Sequence, residues 1–591
     1  LKQVFLQKHQ FDKMNILIDK VRVKNFRSLK DVEVNLQPIT LLVGANNSGK
    51  TTFLQALNIA LGVNKRQLTK DDLFINQNGE TEQNEIIIDL RIIPINKKSE
   101  RTEKFEKEWI GIFNTNAQTD ESGSFFAFRT LITFKEISDK CETNYYFISN
   151  WENPNPQAGD TLTSSARRFI LLYFLDAQRD LEQDSKLRGS YFGRLTVQLE
   201  KGYEKDKLDE ITTLVKELND KTIDGSKVLS HLKVELSKLN QTTNSTGEGV
   251  SLSPFPLKIR DLHKGMKVNF QDNGSDTFGM EYHGMGTRSW ASILSFGAFI
   301  KWEAEENKNK EGYFPILALE EPEAHLHPNA QRTLYQQLKG IYGQKIVSTH
   351  SPYIVGQAEL EEYLFFTKKE DAIIISAIEN ISDMKAHEQQ AMSRFVVDSR
   401  GEILFSRLVV LAEGETEERF LNLLAQKYFE NFYGLSINII GCGGSNYKYF
   451  IKILQAANIP FLVFSDYDNN ETRTKVNSQL TACGLDSNNC DELIDLGEDI
   501  ENYLITAGYE NELRQAANLF IPVWFSRENI RERERNRIEI NEGLRNFLKT
   551  YKTKLAPIYG KILLELNDGR QFPPKILELF IKINTILNIN I

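Results

Sequence analysis

Nine consecutive residues constrain this chain more than any others: Gly44-Ala45-Asn46-Asn47-Ser48-Gly49-Lys50-Thr51-Thr52. They follow the buried-strand pattern Ile39-Thr40-Leu41-Leu42-Val43 and precede helical spacing through Phe53, Leu54, Leu57 and Leu61. The run fits GxxxxGK[ST] at every position, and strand, glycine loop and helix come in the order a phosphate-binding loop requires. Its glycines let backbone N–H groups curl around phosphate oxygens, and the helix N-terminus adds a positive dipole end. Lys50 is placed to reach the β- and γ-phosphates, and the Thr51 hydroxyl to ligate Mg²⁺. Gly44, Asn46, Asn47, Gly49, Lys50, Thr51 and Thr52 are therefore the expected ATP contacts. Such a loop commits this part of the chain to an α/β sheet with ligand at the carboxyl ends of its strands.

A second strand, Pro315–Leu319, delivers Glu320-Glu321-Pro322-Glu323 and then Ala324-His325-Leu326-His327-Pro328. Glu320 is the expected Mg²⁺ ligand and Glu321 the carboxylate that polarises the attacking water. Lys345-Ile346-Val347-Ser348-Thr349-His350 ends a third strand in a histidine placed to sense the γ-phosphate. His325 and His327 read more simply as capping or packing residues in the turn. Upstream, His283-Gly284-Met285-Gly286-Thr287-Arg288-Ser289 opens a helix through Trp290, Ile293 and Leu294, and a glycine pair there offers N–H groups to an anion. In this order the segments resemble the recombination and chromosome-maintenance branch of the ABC-type ATPases, as does the opening Val23-Lys24-Asn25-Phe26-Arg27-Ser28-Leu29. That resemblance implies that Gly284, Gly286 and Ser289 touch the γ-phosphate held by a second subunit. It also implies a homodimer or higher homo-oligomer.

The C-terminal third has its own pattern. Leu408–Ala412 is a buried-strand run ending in Glu413-Gly414-Glu415-Thr416-Glu417. Ile437–Ile440 precedes Gly441-Cys442-Gly443-Gly444-Ser445, and Pro460–Ser465 ends in Asp466-Tyr467-Asp468. Parallel strands whose ends supply Glu413, Asp466 and Asp468 make an oxygen-only cage, which selects a hard cation, Mg²⁺ or Mn²⁺. The arrangement resembles the Toprim fold. An ABC-type head followed by it resembles the OLD (overcoming lysogenization defect) nuclease family over roughly residues 16–580, and the Gabija defence endonuclease subunit shares that layout. The family implies two-metal DNA cleavage in DNA processing or antiviral defence. Its motif positions carry Glu417 and Glu501 into the metal set and make Lys575 the catalytic lysine, with Lys561 as its rival. Resemblance to the Gabija subunit implies a helicase partner encoded nearby.

The expected fold class is a multidomain α/β chain. An ABC-type ATPase head with a mixed sheet occupies residues 14–195 and 276–395, and a helical insertion occupies 196–275. A Toprim domain with a parallel sheet and a basic tail occupies 400–591. The insertion reads as a packed hairpin or a dimer contact, from helical spacing of Leu208, Ile211, Val215, Leu218, Val228, Leu232 and Leu236. Net charge is −9, yet residues 401–520 carry 8 Lys/Arg against 18 Asp/Glu and residues 521–591 carry 13 against 8. That asymmetry suits a metal-binding core beside a phosphate-facing surface, but solvated helix faces explain it equally. Arg531–Arg537 reads as such a face. The four cysteines lack metal spacing, the apolar runs are strand-length, and no apolar leader opens the chain, so a reduced cytoplasmic protein starting naturally at Met14 is expected. Two further functions compete with the nuclease: an ATP-gated DNA clamp with a non-cutting Toprim domain, and a topoisomerase-like strand-passage enzyme. The intact acids oppose the first, and the lack of a distinguished nucleophilic tyrosine opposes the second.

Overall fold

In the computed structural model the described residues are 15–591 without 63–66, 82, 97, 114–115, 136–140, 154–160, 163–168, 177–202, 231, 233–253, 256–268, 271–277, 280–283, 308–311, 370–371, 379–380, 382–383, 445, 467–469, 487–489, 567–568 and 590–591.

The alternating sequence near the start builds an antiparallel sheet. Strands β1 (Ile16–Phe26), β2 (Leu29–Asn35), β4 (Glu85–Pro94), β5 (Gln118–Asp120) and β6 (Gly123–Phe134) lie in the order β2-β1-β4-β6-β5, with β7 (Cys141–Phe147) also on β6. Val21 and Val23 are paired with Val34 and Val32 on one side and with Leu90 and Ile88 on the other, which puts the apolar set on one face. The other face carries a cross-strand row of Arg22, Asp89 and Arg129. Asp89 is wholly buried and accepts from Arg129 at 2.8 and 2.9 Å.

The second sheet gathers distant stretches of chain. Its order is β14 (Ala372–Ser376), β13 (Tyr363–Lys369), β3 (Ile39–Val43), β12 (Gln344–Ser348), β11 (Phe314–Glu320) and β8 (Ile170–Leu175). All neighbours are parallel except the hairpin β13–β14. Every residue of β3 is buried, as expected of a central parallel strand covered on both faces. The helix Lys50–Leu61 buries Phe53, Leu54, Leu57 and Leu61 against this sheet.

The third sheet is fully parallel, β16 (Ile437–Gly441), β15 (Leu408–Ala412), β17 (Phe461–Ser465) and β18 (Leu493–Asp495). The helix Glu415–Tyr428 and the helices Glu510–Trp524, Asn541–Leu564 and Pro574–Leu587 share one of its cores, through Phe420, Leu424, Phe520, Leu548, Tyr559 and Phe580. Its opposite face packs with the second sheet, so that Val43, Leu411, Ile451 and Val463 belong to one continuous core. Head and C-terminal domain are thus fused by apolar packing.

Within 196–275, the described helix Lys205–Gly225 leaves Leu214 and Leu218 exposed, as is Val228 beyond it. Leu236 lies outside the described residues. A short pair, β9 (Asn269–Phe270) with β10 (Phe278–Gly279), follows. Among the described residues no helix is long and apolar enough to cross a membrane.

Candidate functional site

The phosphate loop leaves β3 at its carboxyl end. Gly44 and Gly49 are required by their surroundings. A Cβ at Gly44 would lie 2.3 Å from the Phe366 carbonyl oxygen, and Gly49 has φ 93° with Ile373 Cγ1 only 2.9 Å from a would-be Cβ. Lys50 is buried and folds back onto the loop, donating to the Gly44 and Ala45 carbonyls at 2.8 Å each. Burial lowers its pKa to about 8, against the opposing pull of Glu321, Glu323 and Glu320. Asn46 and Asn47 are exposed at the rim, and Thr52 follows on the helix.

Parallel pairing of Glu320 with Ser348 brings the ends of β11 and β12 beside this loop. The Thr51 hydroxyl donates to Glu320 Oε1, so the two expected Mg²⁺ ligands stand together. Glu321 takes a left-handed backbone, φ 41°, and its N–H donates to the Ser348 carbonyl at 3.0 Å. Its carboxylate lies 3.6 Å from His350 Nε2. Burial, with Lys50 nearby, lowers the His350 pKa to about 4, so the imidazole is neutral at ordinary pH. What aims His350 is Glu323, a residue to which the sequence motif alone assigns no task. Its Oε1 accepts from the Thr349 hydroxyl at 2.6 Å and the His350 N–H at 2.7 Å. His327 caps the helix Pro328–Lys339, accepting from the Asn329 N–H, and His325 occupies a left-handed turn position.

In the segment Gly284–Ser289, Gly284, Met285 and Thr287 are exposed, while Ser289 is buried. Gly286 has a structural reason of its own: a Cβ there would be 2.5 Å from the His325 carbonyl oxygen.

Some 60 residues past Thr349, at Glu413, the second site begins at the carboxyl ends of β15 and β17. Ser465 donates to Glu413 Oε2 at 3.3 Å. Gly441 is needed here, because a Cβ would lie 2.8 Å from the Gly414 backbone. Glu417 closes a capping box, its Oε2 accepting from the Gly414 N–H at 2.9 Å. Its Oε1 and the Oδ1 of Asp466 are buried with no hydrogen-bond partner. Buried acceptors left bare cost free energy, and a hard cation satisfies them without a proton. The donor set thus fits a divalent ion in its chemistry. Among the described residues, however, no three side chains close on one point as a finished coordination sphere. Asp468 lies outside the described residues.

Burial, then repulsion from Glu417 and Glu413, raises the Asp466 pKa to about 9. Burial, then Asp499 and Glu417, raises Glu501 to about 7. Glu501 lies on the helix Ile500–Thr506 and accepts from the Tyr559 hydroxyl at 3.4 Å. The leading cation among these acids is Lys552: burial works to lower its pKa, but Glu417, Glu501, Asp466 and Glu413 together outweigh burial and raise it. The structure thus brings Lys552 among these acids, rather than the Lys575 or Lys561 expected from sequence. Lys575 pairs instead with Glu578 at 3.2 Å while its N–H donates to the Tyr503 hydroxyl, and Lys561 is exposed. Lys552 stands in no motif, and only the crossing of two helices brings it to the acids. Arg533, Arg535 and Arg537 form the solvated face expected of the charge run, on a helix that buries Glu534.

The family model described as AAA ATPase domain matches residues 17–355, more than half of the chain. The one described as overcoming lysogenization defect protein-like, TOPRIM domain, matches residues 404–468. The chain is 25% identical over 480 residues to an OLD nuclease of Thermus scotoductus, covering 76% of this chain and 82% of that protein. It is 23% identical over 477 residues to the Old nuclease of Escherichia phage P2, with 77% and 78% covered. It is 22% identical over 502 residues to the endonuclease GajA of Bacillus cereus, with 81% of each covered. The chain belongs to the AAA ATPase domain family, and an overcoming-lysogenization-defect-type TOPRIM domain follows its ATPase head.

Proposed function

We propose that this chain is an ATP-hydrolysing, divalent-metal-dependent DNA endonuclease. The observation that carries the reading is the pair of bare buried oxygens, Glu417 Oε1 and Asp466 Oδ1, at the strand ends with Lys552 beside them. The nuclease names of the relatives support it, and a role in antiviral defence belongs to the same proposal.

At the nuclease centre, Glu413, Glu417, Asp466 and Glu501, with Asp468, are the groups that would hold Mg²⁺ or Mn²⁺. Bound divalent cations supply Lewis acidity and a water of lowered pKa. Lys552 offers positive charge to the scissile phosphate, where charge grows in the transition state. At the head, Lys50 would turn from the Gly44 and Ala45 carbonyls to the phosphates of ATP, and Thr51 and Glu320 would hold Mg²⁺. Glu321 orients the attacking water, and His350, neutral and aimed by Glu323, reads the γ-phosphate. The exposed backbone of Gly284 offers a second subunit's nucleotide an anion site, which supports a homodimer. The domain division 14–195, 196–275, 276–395 and 400–591 and a cytoplasmic setting belong to the same proposal. A helicase partner remains an extension of the GajA likeness.

The test is plasmid cleavage in Mg²⁺ or Mn²⁺, with and without ATP. Nicked or linear product supports the nuclease. Binding without cutting gives the chain to the DNA-clamp reading, and relaxation without nicked product to strand passage.

A further inference from the structure

The helix Asn541–Leu564 buries Leu544, Phe547, Leu548, Leu555 and Tyr559. Arg545 and Lys549 stand four residues apart on one face of its first part, and Lys552 follows just past a kink at Tyr551. That face looks along the rim of the acid cluster. At one end Arg545 Nη1 donates to Asn502 Oδ1 at 2.6 Å, beside Glu501. At the other, Lys552 feels all four acids, and Tyr559 beyond it reaches Glu501. Between them Lys549 is exposed and has no ion-pair partner among the described residues.

The position of this face is held from behind. Tyr551 departs from helical geometry, φ −118° and ψ 17°, one residue before Lys552. Its ring packs with Phe520, Trp524, Phe525 and Phe547, which anchors the kink in an aromatic cluster. On the neighbouring face Lys554 sits 3.4 Å over the Trp524 ring. A solvated surface lysine needs no such anchoring.

We propose that this helix is the track that carries the backbone of a DNA strand past the acid cluster. Lys552 meets the cleaved phosphate, and Lys549 and Arg545 meet the phosphates next along the same strand. From Arg545 to Lys549 the helix advances about 6 Å, and one duplex strand presents a phosphate every ~3.4 Å of axis, so the two cations lie at the spacing of nearby phosphates. Contacts of this kind fix the register of the backbone and read no sequence. The track rests on the endonuclease reading above, and names the residues that present its substrate.

The test is the salt dependence of duplex binding by the full chain, measured by fluorescence anisotropy without divalent metal. Lys549→Ala and Arg545→Ala should each reduce the slope of log K against log salt by about 0.9, equally for unrelated sequences. Arg545→Lys and Lys549→Arg should keep the parental slope, and ATP hydrolysis should be unchanged in all four. In cleavage, Lys549→Ala should raise KM several-fold and leave kcat near the parental value. A parental slope in the Lys549→Ala, Arg545→Ala double variant overturns the track alone. Absence of DNA binding by the parent chain overturns the endonuclease reading and the track with it.

Discussion

The Thr367 hydroxyl donates to the Ala457 carbonyl at 2.8 Å, tying the strand beside the phosphate loop to the end of a helix in the C-terminal domain. Ser376 reinforces the joint, donating to the Ala456 carbonyl at 2.6 Å and accepting from Asn458. On its other side, the same hairpin presses the Phe366 carbonyl and Ile373 against Gly44 and Gly49. The far end of the helix Tyr447–Ala456 follows the loop in which the Gly444 N–H donates to the Glu413 carbonyl. Thr367→Val with Ser376→Ala should therefore weaken the influence of ATP on cleavage, in either direction, while leaving ATP-free cleavage within about twofold. The ratio of rates with and without a non-hydrolysed ATP analogue measures this. An unchanged ratio removes the hairpin from the coupling.

Lys50 should take up a proton when ATP binds near pH 8. Free, with its pKa lowered to about 8, it is half neutral there, whereas triphosphate oxygens favour the charged form. At pH 6.5 it is already protonated, and uptake should vanish. Calorimetry in buffers of different ionisation enthalpy reads the proton count. Lys50→Ala should weaken binding strongly, and equal uptake at both pH values would exclude Lys50 as the group involved.

Glu321→Gln and Glu323→Gln should fail differently. The first keeps ATP bound but uncleaved, since only the water-orienting carboxylate is lost. The second disturbs the seat of Thr349 and His350, so hydrolysis should fall with a stability loss of about 1–3 kcal/mol for the buried groups left poorly paired. Single-turnover hydrolysis and thermal unfolding separate the two. Glu321→Gln turning over at the parental rate would end its assignment.

Asp466→Ala and Glu413→Ala should abolish cleavage while leaving ATP hydrolysis and duplex binding nearly intact, because affinity comes from cations facing phosphates. Mn²⁺ should rescue partly. Lys552→Ala should lower the rate at saturating metal by about 10²-fold or more, and Lys575→Ala should not, since Lys575 pairs with Glu578. A large loss in Lys575→Ala with a normal Lys552→Ala would restore the sequence-based choice.

Asp89→Ala should cost about 3–5 kcal/mol, because it strands the half-buried Arg129 guanidinium, whereas Arg22 keeps Glu33 as a counter-charge. Denaturant unfolding of the full chain measures it. A loss under about 1 kcal/mol would mean that water reaches the row.

Much of the molecule is readable from its residues in order. The phosphate loop is local: a strand, glycines at positions that no Cβ could occupy, and a helix are set by neighbours in sequence. The same holds for the strands ending at Glu320, His350, Glu413 and Asp466, whose apolar runs stop where the polar groups begin. Parallel sheets bury both faces of each strand, so such runs stand out.

Tertiary structure alone decided which of these ends meet. The second sheet draws strands from residues 39–43, 170–175 and 314–376, and no local pattern states their order. Glu323 acquired its work because the turn after β11 folds under Thr349 and His350. Lys552 faces the acids because the helix Asn541–Leu564 crosses the helix Ile500–Thr506, bringing Tyr559 and Arg545 onto Glu501 and Asn502. A lysine on a helix surface carries no mark of what it will oppose. Local residues determine the backbone at each site, through sterics and hydrogen bonding, whereas charges act through space, and only the packed fold sets those distances.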